Sequence, residues 1–174
     1  MSVLRPEQAE VLLRAGELRR YRAAVALALF AGVRPGELGE GDKPPLRWEH
    51  VQEADRVVRV PAEVSKTRVT RVLEGLPEAL WAWLAAVPRE EKVGPVAPGR
   101  FRQVVRPARR LLGLEVWPAD CTRHSFASYA VALLGDAGQV ALWLGHEGDQ
   151  RLLHRHYRGL VSRADAERFF GLRP

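Results

Sequence analysis

Ala23 to Val33 is an unbroken apolar run without a single charge. It is too short to cross a bilayer, which takes about 20 apolar residues as helix, so it reads as a helix, Tyr21 to Gly32, buried on all sides. Its end is marked by Gly32-Val33-Arg34-Pro35-Gly36, which combines a glycine stop with a proline able to restart the helix through Glu37 and Leu38. Arg34 is thereby placed at a helix junction, directly beside core.

The rest of the chain can supply that core. Of 174 residues, 47% are hydrophobic and 28% charged, the balance of one globular domain. Lys and Arg number 27 against 21 Asp and Glu, a formal net charge of +6 that suits a polyanionic partner. The positive charge is spread along the chain, so charge alone does not choose that partner. A single cysteine, Cys121, excludes an internal disulfide framework and a multi-cysteine zinc site. The start lacks a secretory pattern and no apolar run reaches membrane-spanning length, so a cytoplasmic, nucleoid-associated protein with no membrane partner is expected.

Helical patterns cover Leu4–Gly16, Pro77–Ala86, a strongly basic and Pro107-interrupted Phe101–Leu112, Asp120–Leu134, Ala137–Leu144, Gly148–Tyr157 and Ser162–Phe170. Arg56–Pro61 and Arg68–Leu73 are rich in β-branched residues and predict a β-hairpin, with Ser65-Lys66-Thr67 at its link. Arg89–Pro98 reads as a loop. The expected fold class is α+β, mainly helical, with a small antiparallel sheet.

The residues that bear on chemistry fall in five places. They are Ala31-Gly32-Val33-Arg34-Pro35-Gly36-Glu37-Leu38, Ser65-Lys66-Thr67, Thr122-Arg123-His124-Ser125-Phe126-Ala127-Ser128, Leu144-Gly145-His146 and His156-Tyr157. In this order the series resembles the catalytic domain of the tyrosine recombinases, the phage-integrase family, over nearly the whole chain. The resemblance implies cleavage and rejoining of double-stranded DNA through a 3′-phosphotyrosyl link, with no cofactor and no metal. Arg34 and Arg123 would neutralise the non-bridging oxygens of the scissile phosphate, as planar guanidinium forks can. Tyr157 would be the nucleophile, Lys66 would protonate the departing 5′-oxygen, and His146 would hydrogen-bond a non-bridging oxygen.

Tyr21 and Tyr129 read as packing residues, the first ahead of the apolar helix and the second inside a core-facing one. His154 and His156 flank Tyr157 without metal-ligand spacing, because positions i and i+2 of a helix do not share a face. Arg100, Arg102, Arg106, Arg109 and Arg110 are available to DNA phosphates.

The chain departs from the family three residues before Arg123, where the usual histidine is replaced by Asp120. Asp120 can orient Arg123, accept the tyrosine proton, or simply cap the following helix. His124 is a neighbour of that position and not its equivalent, since one residue along a helix turns a side chain by roughly 100°. Gly39–Pro45 reads as a small insertion. The resemblance further implies a homotetramer on paired DNA sites, with the Ser162–Phe170 helix exchanged between neighbours and the isolated chain a monomer. An N-terminal clamp domain, usual in the family, is not expected within residues 1–174. Two rival readings stay open: a DNA-binding relative that does not cut, and a type IB topoisomerase-like nicking-closing enzyme.

Overall fold

The apolar run forms helix α2 (Arg22–Phe30), in which every residue from Ala23 to Phe30 is buried. This computed structural model describes residues 2–146 and 150–174. A second core helix, α5 (Cys121–Leu134), packs against α2 and is buried from Cys121 to Val131 except at half-buried His124. Around this pair lie α1 (Pro6–Arg14), α3 (Glu78–Ala85), α6 (Ala137–Leu144), α7 (Gln150–Tyr157) and α8 (Arg163–Phe170). The expected start of α7 at Gly148 lies outside the described residues.

Helix boundaries follow local chemistry. α1 opens on Pro6, whose missing N–H costs nothing in a first turn. Asp136 accepts from the N–H groups of Gly138 and Gln139 at the head of α6, and Ser162 from that of Asp165 at the head of α8. α6 ends at Gly145 with φ of 68°, a left-handed conformation that glycine adopts without strain. The basic segment is a 3₁₀ turn, Phe101–Val104, followed by α4 (Val105–Leu112). Pro107 does not interrupt it: it sits in the first turn of α4, where no intrahelical N–H bond is due.

The sheet has three antiparallel strands in the order β1 (Val51–Gln52), β2 (Val57–Val60), β3 (Arg71–Leu73). Val58 pairs with Leu73 and Val60 with Arg71, which turns Val58, Val60 and Leu73 onto the core and Arg59 and Val72 outward. The predicted hairpin is therefore present, but its second strand is shorter than Arg68–Leu73. Arg68 takes φ of 56°, outside the extended region, and residues 61–70 form a turn-rich loop with Lys66 exposed upon it.

α8 closes this chain's own core. Phe169 is fully buried, stacks on Tyr129 at a centroid distance of 4.2 Å and lies 5.3 Å from Phe30. The Trp83 indole N–H donates to the carbonyl of Leu172 just beyond it. As expected, Tyr129 is a packing residue, its hydroxyl donating to Leu4 O. Replacing Phe169 by Ala should lower stability by about 3–5 kcal/mol, read by urea denaturation. A loss under about 1 kcal/mol would mean that α8 is not seated as described.

Candidate active site

Arg123 leaves α5 into the core, where its side chain is almost fully buried. One terminal nitrogen donates to Gly32 O at 2.6 Å, and the other to Leu144 O at 2.5 Å. The second nitrogen also lies 3.4 Å from His146 Nε2. A guanidinium only donates, so His146 Nε2 is the acceptor in that contact. Each clamped carbonyl stands two residues before a predicted site residue, Gly32 before Arg34 and Leu144 before His146. Gly32 has φ of 65°, and a Cβ there would lie 2.5 Å from the Phe126 ring. Only glycine brings this carbonyl to Arg123.

A second clamp runs alongside. Glu37 is buried and makes a bidentate pair with Arg71, at 2.6 and 2.7 Å, while accepting from the Arg34 backbone N–H at 2.9 Å. Arg71 also donates to Trp143 O, so β3 is tied to the end of α6 and to the Arg34 turn together. Burial alone would raise the Glu37 pKa, but the hydrogen bonds and charge of Arg71 prevail and hold it below 4.5. Neither Glu37 nor Arg71 was singled out from sequence. The available signal was Glu37 one helical turn after Arg34, while Arg71 resembled any strand arginine.

Arg34, Lys66 and Asp120 line one open cleft of about 470 Å³, together with Glu40, Gly41, Asp42 and Lys43 of the Gly39–Pro45 segment. From that segment Lys43 donates to Ser65 O at 2.5 Å and Lys66 O at 3.3 Å, bracing the backbone that carries Lys66. His146 opens instead on an adjoining cavity of about 650 Å³ beside Arg71 and Thr67. The structure thus brings Arg34, Lys66 and Asp120 to one cleft and joins Arg123 to His146, whereas Lys66 and His146 line different cavities. Asp120 stands at the head of α5 with φ of 52°, and its side chain makes no capping bond. The capping role is therefore not what it performs.

Tyr157 is buried at the end of α7, and its hydroxyl lies 2.9 Å from His124 Nδ1. Burial, aided by Asp120, raises the phenol pKa above 10, while Arg123 and Arg34 pull it back. Burial and then the charges of Arg34 and Arg71 push Arg123 down to about 9, so it remains a cation at neutral pH. Burial and the same three arginines lower His146 below 6.5 and keep its imidazole neutral. Exposed His154 and His156 flank Tyr157, and among the described residues no group of His, Cys, Asp or Glu could hold a metal ion.

The basic segment meets the same region, since the Phe101–Val104 turn packs against the Pro35–Leu38 turn behind Arg34. Arg100, Arg102 and Arg106 are exposed there, whereas Arg110 pairs with Glu17 and Arg109 bonds the carbonyls of Leu114 and Glu115.

Solved structures share this architecture. XerA recombinase superposes with a TM-score of 0.65 at 17% identity, over 98% of this chain and 64% of that one. The integrase from mycobacterium phage Brujita gives 0.64 at 20% identity, over 97% and 63%. XerH site-specific recombinase, bound to palindromic difH substrate in a post-cleavage complex, gives 0.58 at 17% identity, over 90% and 50%. These likenesses define the fold as that of a tyrosine recombinase catalytic domain. In sequence the chain is 33% identical over 157 residues to tyrosine recombinase XerC of Methylobacterium sp. (strain 4-46), covering 77% of this chain and 46% of the relative. The chain is thus similar to a tyrosine recombinase in sequence and shares the fold of the recombinase and integrase catalytic domains. It spans about half the length of that curated relative. No protein-family model matches it. Among the described residues no helix is long and apolar enough to cross a membrane.

The Glu37–Arg71 pair carries a pH signature. Because the folded-state pKa of Glu37 lies below its ordinary 4.5, its stabilisation is complete above pH 4.5 and is lost as pH falls through the folded value. Glu37→Gln leaves Arg71 buried without its partner and should cost about 3–5 kcal/mol at neutral pH. The variant should also show a shallower dependence of stability on pH below 4.5 than the parent. Urea titrations at stepped pH measure both, and parallel curves would refute the pairing.

Proposed function

We propose that this chain is the strand-cutting and rejoining domain of a site-specific DNA recombinase or integrase, acting through a 3′-phosphotyrosyl intermediate. One observation carries the reading: Arg123 is tied to the two turns that present Arg34 and His146, with the Tyr157 hydroxyl within the field of both arginines. Breaking a phosphodiester without a metal requires fixed cations at the non-bridging oxygens, and two guanidinium groups supply them. Arg123 has five N–H donors and spends three on Gly32, Leu144 and His146, which leaves two for phosphate.

In this reading the Tyr157 oxygen attacks phosphorus and the bond to the 5′-oxygen breaks. Lys66, on its braced loop, delivers a proton to that leaving oxygen. His146, neutral at working pH, donates to a non-bridging oxygen. The phosphotyrosyl link keeps the energy of the broken bond, and attack by a 5′-hydroxyl of the same or another strand restores the phosphodiester. Arg100, Arg102 and Arg106 extend the cationic surface along the DNA backbone. Work on paired sites calls for a homotetramer, with the isolated chain a monomer. Exchange of α8 between subunits would first require Phe169 to leave its own core.

Asp120, at the family's histidine position, favours one alternative, a relative that binds DNA without cutting it. A pool of nicked duplexes of random sequence separates the two, because the nick lets the short cleaved strand diffuse away and traps the covalent product. The wild-type chain should retain DNA through denaturing electrophoresis. Tyr157→Phe should retain none, yet bind duplex with affinity within about threefold of wild type and with the same steep loss as salt rises. Equal retention by both proteins, or by neither, would refute the nucleophile assignment. Relaxation of supercoiled plasmid by single protomers would point to a topoisomerase-like enzyme instead.

A further inference from the structure

His124 was set aside in the sequence because it adjoins the family's histidine position without occupying it. The structure gives it a place of its own. It is the one half-buried residue on the otherwise buried stretch from Cys121 to Val131, and its ring faces α7. Its Nδ1 lies 2.9 Å from the Tyr157 hydroxyl, and the two rings are 6.0 Å apart between centroids with a 39° tilt. This is hydrogen-bond distance to the atom that would attack phosphorus.

Resting on the functional reading above, we propose that His124 is the catalytic base that takes the Tyr157 proton. The tyrosine O–H bond breaks, its proton passes to Nδ1 of an imidazole protonated on Nε2, and the phenolate forms its bond to phosphorus. The bond from phosphorus to the 5′-oxygen breaks, and Lys66 protonates that oxygen. One proton enters His124 and one leaves Lys66, and no further reactant is needed.

The surroundings suit a base. Burial, with the charge of Arg123, lowers the His124 pKa below 6.5, so the ring is neutral and able to accept at neutral pH. Asp120 acts in the opposite direction. It therefore stabilises the imidazolium that the transfer creates, which gives the unusual aspartate a role in support of His124. Without a base, Tyr157 is a poor nucleophile, since burial and Asp120 hold its pKa above 10.

The test has two readouts. In the uniformly ¹⁵N-labelled protein, long-range imidazole correlations, assigned with His124→Asn, should show His124 as the Nε2–H tautomer with bare Nδ1, and Tyr157→Phe should shift its titration. An Nδ1–H tautomer would make His124 a donor to the tyrosine and overturn the proposal. The second readout is the rate of covalent adduct formation on the nicked-duplex pool against pH. The wild-type rate should fall on an acid limb centred below 6.5, as His124 protonates. His124→Asn keeps a polar atom near the Nδ1 position but takes no proton in this range. It should lose the limb and run about 10²-fold to 10⁴-fold slower. Asp120→Asn should move the limb to lower pH. A His124→Asn profile with the same limb and a rate within about twofold of wild type would overturn the base assignment, whereas a merely structural role predicts that result. If the wild-type chain forms no adduct at any pH, the functional reading fails and the proton transfer with it. Adduct formation together with an Nδ1–H tautomer sinks the proton transfer alone.

Discussion

A buried cation needs compensation, and Arg123 finds it in an unusual place. Its partners are not carboxylates but the carbonyl oxygens of Gly32, just past the C-cap of α2, and of Leu144, the last residue of α6. Helix C-termini leave carbonyls without intrahelical donors and carry partial negative charge. Arg123 uses two such ends at once, satisfying groups that would otherwise be orphaned and partly offsetting its own desolvation. The same bonds fix the distance between two chain segments far apart in sequence. Arg34 and His146 are consequences of this constraint, each carried two residues beyond a carbonyl that cannot move without releasing the guanidinium.

Glu37 extends the constraint to the sheet. With Arg71 paired to Glu37 and bonded to Trp143 O, β3 is held against both segments that Arg123 joins. The loop between β2 and β3 inherits its base from this attachment. Its tip is braced separately by Lys43. The Gly39–Pro45 segment thus supplies a contact that the short strands do not, and Lys66 lines the Arg34 cleft from a loop anchored at both ends.

What could be read from sequence follows the range of the interactions involved. Periodicity and breakers act locally, so α2, α5, α6 and α8 were legible, as were the glycine stops at Gly32 and Gly145. The hairpin was legible as a pairing, but its second strand was overextended because the positive φ of Arg68 leaves no mark in composition. Pro107 looked like a break only while the helix was assumed to start at Phe101. Only the resemblance groups Arg34, Arg123 and His146, since nothing in the local sequence says which carbonyls a buried arginine will find. Glu37, Arg71 and His124 depend on long-range packing. His124 in particular was discounted by a rotation argument that is correct for α5 alone. α7 lies across the direction in which His124 points and brings the Tyr157 hydroxyl to its ring.

The electrostatics of the pocket explain why a cationic site would still need a base. Glu37 is engaged by Arg71, and burial, followed by the charges of Arg123, Arg34 and Arg71, lowers the pKa of His146, so the arginines place a positive field on the site. A phosphate diester entering the cleft would be drawn to the arginines, and its negative charge would offset the same field that favours the Tyr157 phenolate. Substrate binding would therefore weaken the pull on the phenol at the moment when ionisation is required. A charge-neutral acceptor beside the hydroxyl avoids this conflict, because its basicity does not come from the arginines. A neutral imidazole at 2.9 Å meets that requirement where a second fixed cation would not. Asp120, costly beside a phosphate, becomes useful beside an imidazolium, so the departure from the usual histidine and the position of His124 belong to one arrangement.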